Sequence, residues 1–281
     1  MAKNYYCLVA GLREFTREGE HKGFDPASVQ AEIDEGIGRK DREKVALLRT
    51  YHDIGNIVNL KAGRAQFSPL GNFGRAELEE EAVRPVRLPR FVREVLEAYA
   101  DPEGTDYEEI DRSKALERSL MEAYYRACAA SKSRFLREWG EFDRNLRNVC
   151  AALTARRLGI PVPQVLVGGG YVAESLARSS AADFGLKGEV GYLDRVIAAV
   201  ADEENLLEKE HRIDSLRWEM SEELTTFDYF NIEFILGYLV RVGIVSRWMS
   251  LDRERGQEMF ARLLASLGGA ELIGRAESTN E

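Results

Sequence analysis

The chain has 281 residues, enough for one large domain or two small ones around a real core. Its 44% hydrophobic and 31% charged residues exclude a disordered chain. With 39 basic against 48 acidic residues the net charge is −9, which makes the chain a poor general binder of nucleic acid, because phosphate neutralisation needs a basic surface; a local basic patch stays open.

The apolar run at residues 5–12 (YYCLVAGL) fits a buried strand or the first turns of a helix, and its length does not separate them. Residues 17–23 read as a loop. Asp25-Pro26 then predicts a helix start, with proline at the first helical position. Val45, Leu48, Ile54 and Ile57 recur near helical spacing and predict a helix over residues 41–63. Gly55 inside it suggests close packing, and Gly63 a stop. Pro69, Gly71, Asn72 and Gly74 make residues 67–74 a loop, and Pro85 and Pro89 bracket a second irregular stretch. A short helix is predicted over 91–99.

The strongest helical signal runs over residues 111–158, with one glycine, Gly140, and no proline. It predicts one long helix or two joined near Gly140. Further helices are predicted over 173–178, 190–200, 203–224, 229–248 and 252–267, with a small, polar and mobile tail from 268. Arg241 interrupts the longest apolar stretch, so no membrane-spanning segment is expected. No secretory signal is expected either, and three cysteines without a CxxC spacing suit a reducing cytoplasm.

Chemistry-bearing patterns are few. No P-loop, GxSxG or HExxH motif occurs, and His21, His52 and His211 are the three histidines. The pair His52-Asp53 does not share a helix face and is read as structural. Glu208-x-x-His211 resembles half of a carboxylate-bridged metal site, but no second copy exists, so neither metal nor cofactor is expected. Gly168 to Gly170 opens a loose GxGxxA, which suits a dinucleotide only after a strand in a βαβ unit; a turn before a helix is the plainer reading. Two segments echo each other: Asn56 and Asn59 in one, Asn145 and Asn148 in the other. Asparagine is a mediocre helix former, so buried pairs of this kind need partners. They read as hydrogen-bonded fold determinants tying a helix to a neighbouring loop. Both segments end in basic residues: Arg64 in one, Arg156 and Arg157 in the other. These suit a helix C-terminus and are weak candidates for contacting a partner. A third, poorer echo is residues 228–234. The three echoes near 41–64, 138–159 and 228–248 suggest helical lobes built to one plan.

Several strings carry a resemblance that covers most of the chain. They are residues 5–12, 51–64 (YHDIGNIVNLKAGR), 138–148 (EWGEFDRNLRN), 183–186 (DFGL) and 228–239 (DYFNIEFILGYL) with Arg247-Trp248. On these the chain resembles an uncharacterised bacterial family associated with V/A-type ATPases, which is similar to the central-stalk C subunit, called d in eukaryotic enzymes. The resemblance implies an all-α, funnel-like single domain of related helical lobes. It implies a non-catalytic socket between the rotor shaft and the membrane proteolipid ring, peripheral on the cytoplasmic face, serving proton or sodium transport. The implied partners are the other stalk subunits and the ring, with no nucleic acid. The chain is shorter than a typical C subunit, which fits a reduced third lobe. A nucleotide-binding enzyme using Gly168 to Gly170 and a helical adaptor with an unrelated partner are the alternatives.

Overall fold

The computed structural model describes residues 4–17, 23–100, 109–201 and 205–251. Its described residues are mainly helical, with no strand among them. The helix expected over 252–267, the tail beyond it and His21 lie outside the described residues.

The run at 5–12 forms helix α1 (Tyr6–Gly11). Helix α2 (Pro26–Gly36) starts as Asp25-Pro26 predicts: the Asp25 carboxylate accepts from the Ala27 and Ser28 amides at 3.1 and 3.2 Å. The next eight helices follow a pattern of lengths. Helices α3 (Arg39–Lys61), α4 (Arg75–Val83), α5 (Arg90–Ala100) and α6 (Glu109–Ala129) have 23, 9, 11 and 21 residues. Helices α7 (Arg134–Leu158), α8 (Tyr171–Arg178), α9 (Leu193–Ala201) and α10 (Leu206–Glu223) have 25, 8, 9 and 18. A long-short-short-long unit therefore occurs twice in succession. Packing follows the same plan, with α4 on α3 and α5 on α6 in the first unit, α8 on α7 and α9 on α10 in the second. Helix α11 (Ile232–Leu251) then opens with another long element of 20 residues.

The segment 111–158 is two helices, and the break is not at Gly140. It falls at residues 130–133, where Ser133 caps α7 and accepts from the Leu136 amide at 3.2 Å. Glu233 of α11 reaches across and accepts from the Ser133 hydroxyl at 2.6 Å and the Phe135 amide at 2.8 Å. Gly140 lies inside α7 for a different reason: a Cβ there would sit 2.7 Å from the Cβ of Cys128 on α6. Gly55 needs no such space, since a Cβ there would meet nothing within 4 Å. Helix α4 has few apolar residues; Leu78 and Ala82 face the core and Glu81 is buried between them.

Two apolar clusters form the core. One joins the second half of α3 to α4, α5 and α6. The larger joins α1, α2, the first half of α3 and the helices from α7 to α11. Among the described residues α11 alone is long and apolar enough to cross a membrane by composition. Its Ile235, Leu236, Leu239, Val242 and Val245 are buried in the larger cluster, which is what a core helix requires.

Candidate functional site

Each unit carries one asparagine clamp, at the same place in its plan. In the first, the Asn56 amide donates to the Ser68 carbonyl at 2.8 Å and its oxygen accepts from the Ser68 amide at 2.7 Å. In the second, Asn148 makes the same pair with Val167, at 3.0 and 2.8 Å. Both side chains are buried in a long first helix, and both hold the loop leading to the short second helix. An amide side chain carries a donor and an acceptor side by side, so it can satisfy a backbone carbonyl and amide together. Asn59 and Asn145 are not their equivalents. Asn59 is partly exposed beside Arg64 at 3.5 Å, and Asn145 accepts from Arg144 at 3.4 Å. The repeat is thus Asn56 with Asn148, three residues off the register in which the two asparagine pairs align. In the third echo Asn231 lies before α11 and caps it, accepting from the Glu233 and Phe234 amides at 2.9 and 3.2 Å.

One turn before Asn56, Asp53 is buried and holds the same loop. It accepts from the Asn72 amide at 2.8 Å and the Asn72 side chain at 2.7 Å. Gly71 makes room: a Cβ there would collide with the Asp53 carboxylate. Burial pushes the Asp53 pKa up to about 6, against the hydrogen bonds from Asn72 and Phe73. Burial and nearby Arg49 push neighbouring His52 down to about 4, so its ring is neutral near pH 7.

Where α3, α6, α7, α10 and α11 meet, the core turns ionic. Asp143 of α7 accepts from the Tyr125 hydroxyl at 2.7 Å and from Arg217 Nε at 3.0 Å. Arg217 Nη1 reaches Asp214 at 3.1 Å, and Asp214 also takes Arg247 at 2.8 Å and the Trp248 indole at 3.0 Å. Arg247 closes the chain on Glu210. Asp143 and Asp214 are buried, and removing a partner from a buried ion pair is costly because it strands the remaining charge. Burial opposes the Arg217 charge, but Asp143, Tyr51 and Asp214 outweigh it and raise its pKa well above the ordinary value. A cavity of about 140 Å³ lies against this network.

A model of the family described as Protein of unknown function (DUF2764) matches residues 1–269. The chain belongs to that family. No curated protein and no solved structure matches it.

In this DUF2764 chain the three arginines flagged by sequence part company. Arg156 is committed inside the fold: its guanidinium donates to the Ser179 and Ala181 carbonyls and stacks 3.5 Å from the Phe184 ring centroid. Arg64 and Arg157 are exposed at the ends of α3 and α7. The Gly168 to Gly170 turn follows a 3₁₀ turn at Val162–Gln164 and precedes α8, so no strand leads into it. Gly168 and Gly170 have φ of 67° and 107°, which explains glycine there by backbone geometry alone. Among the described residues no group of three or more His, Cys, Asp or Glu is placed to hold a metal. Reading the sequence missed Asp143, Asp214, Arg217 and Arg247. The available signal was charge at apolar-face positions: Asp143 follows Phe142, and Asp214 lies between Ile213 and buried Ser215.

Proposed function

We propose that this chain is a non-catalytic subunit of the central stalk of a bacterial V/A-type ATPase. It would act as a socket between the rotor shaft and the proteolipid ring, on the cytoplasmic face of the membrane. The observation that carries this reading is the repeated four-helix unit with its buried asparagine clamp, followed by a further long helix. The resemblance in the sequence implies lobes built to one plan, and a doubled unit supports it. A coupling body also has to resist shear between its units, and the buried ion network joining α7, α10 and α11 supplies directional bonds for that.

Surface chemistry supports a protein-facing role. Tyr6, Phe227 and Tyr229 are 56%, 86% and 65% exposed around Phe230, a concentration of aromatic surface of the kind that partners cover.

The test is a tagged pull-down from native membranes in mild detergent, read by mass spectrometry. Stalk and ring subunits should be recovered with the wild type, and in lower yield with Phe227→Ser/Tyr229→Ser. Recovery of this chain alone, with the rotary ATPase intact in the same extract, would overturn the proposal.

A further inference from the structure

The cavity beside the ion network is unevenly equipped. Part of its lining is apolar, with Leu48, Leu70, Leu239 and Val242. The lining also carries the guanidinium groups of Arg49, Arg217 and Arg247 and the carboxylates of Asp143 and Asp214, while Asp34 and Glu210 pair with Arg49 and Arg247. Both oxygens of Asp143 and both of Asp214 already accept hydrogen bonds from the protein. Donors, by contrast, are left over. The Tyr124 hydroxyl belongs to a residue 1% exposed and meets no oxygen or nitrogen acceptor within hydrogen-bond geometry among the described residues; the Cys128 thiol, a weak acceptor, is the one side chain that interacts with it as a hydrogen-bond partner. Arg49 is 9% exposed; it pairs with Asp34 through Nη1, and its Nε is buried without a partner. Arg217 spends Nε and Nη1 on the two aspartates, leaving Nη2 outside both pairs.

Buried donors without acceptors each cost on the order of 1–3 kcal/mol, and native proteins rarely leave two beside one cavity. What answers them is an acceptor-rich ligand, and a carboxylate offers the most acceptor positions in the fewest atoms. An apolar cavity of about 150 Å³ holds benzene, so this one accommodates about six heavy atoms. We propose that the cavity binds a short-chain organic carboxylate, its carboxylate facing Tyr124, Arg49 and Arg217 and its alkyl chain lying against Leu48, Leu70 and Leu239. This site is independent of the stalk reading and stands or falls separately.

Butyrate is the probe. Calorimetric titration of the full chain with sodium butyrate, at ionic strength matched with sodium chloride, should show saturable one-site binding. Butanol lacks the charge and inorganic phosphate lacks the chain; each should bind about tenfold more weakly or worse, the factor that one charge-assisted hydrogen bond carries. Gly243→Ala tests the place. A Cβ there would stand 3.6 Å from His52 Nε2 and 3.9 Å from Leu70, in ordinary contact, so the variant folds while its methyl takes up part of the space at the cavity lining. Its butyrate affinity should fall about tenfold or more. Tyr124→Phe should weaken binding without changing the shape of the cavity. Absence of saturable butyrate binding by the folded chain would overturn the proposal. So would equal affinity for butanol or phosphate, or undiminished affinity in Gly243→Ala.

Discussion

Asn148→Ala removes one side chain and strands two backbone groups. The Val167 amide and carbonyl lose bonds of 2.8 and 3.0 Å, and Val167 is 3% exposed, so water does not replace them. At about 1–3 kcal/mol for each unsatisfied buried group, the expected loss is about 2–6 kcal/mol. That is a large part of a typical stability of about 5–15 kcal/mol. Asn56→Ala breaks the same geometry at Ser68, which is only partly buried, so solvent can reach the freed groups and the loss should be smaller. Asn145→Ala gives up one contact of 3.4 Å to Arg144 and should stay within about 0.5 kcal/mol of wild type. Urea unfolding followed by far-UV circular dichroism measures all three. The order Asn148, Asn56, Asn145 is the prediction; a loss below about 1 kcal/mol for Asn148→Ala would refute the clamp argument.

The neighbours His52 and Asp53 should oppose each other between pH about 4 and 6.5. His52 has a depressed folded pKa, so its contribution is present above pH 6.5 and is lost as pH falls towards 4; Asp53 has a raised one, so its contribution grows as pH falls from 6. Stability of His52→Gln should therefore rise on acidification relative to wild type, and that of Asp53→Asn should fall, both read from urea midpoints against pH. Arg217→Met leaves Asp143 and Asp214 buried without their shared partner and should cost about 3–5 kcal/mol, whereas Arg90→Met, on an exposed pair with Glu94, should change stability by less than about 1 kcal/mol. Gly140→Ala should destabilise by about 1–3 kcal/mol through overlap with Cys128, while Gly55→Ala should be neutral or stabilise by up to about 1 kcal/mol, as thermal unfolding will show. Arg156→Lys should not restore what Arg156→Ala loses in Tm, because an ammonium cannot span the Ser179 and Ala181 carbonyls while covering Phe184.

Helix type was readable wherever apolar residues recur at helical spacing, as in α3, α7 and α11. The boundary between α6 and α7 was not, because it depends on Glu233, distant in sequence. Helix α4 escaped notice since Leu78 and Ala82 are too few to make a period. The asparagines announced themselves as polar residues on apolar helices, but their correct register did not. Which member of each pair turns inward depends on the loop it meets, and the loops differ: Ser68 lies 12 residues beyond Asn56, Val167 19 beyond Asn148. The ion network was hidden for a similar reason. Asp143, Asp214 and Arg247 come together only when three helices from different parts of the chain have packed.

The Glu233 bridge also says something about the order in which the chain becomes native. The Ser133 hydroxyl and the Phe135 amide wait for an acceptor synthesised 98 to 100 residues later. On the ribosome, helix α7 can wind and the second unit can begin to collect around it, but the start of that helix is finished only when α11 emerges. Contacts of such separation slow folding. The last described helix thus acts as the latch on a unit whose own residues were made much earlier, and nascent chains halted before residue 233 should be held open to proteases at 130–135.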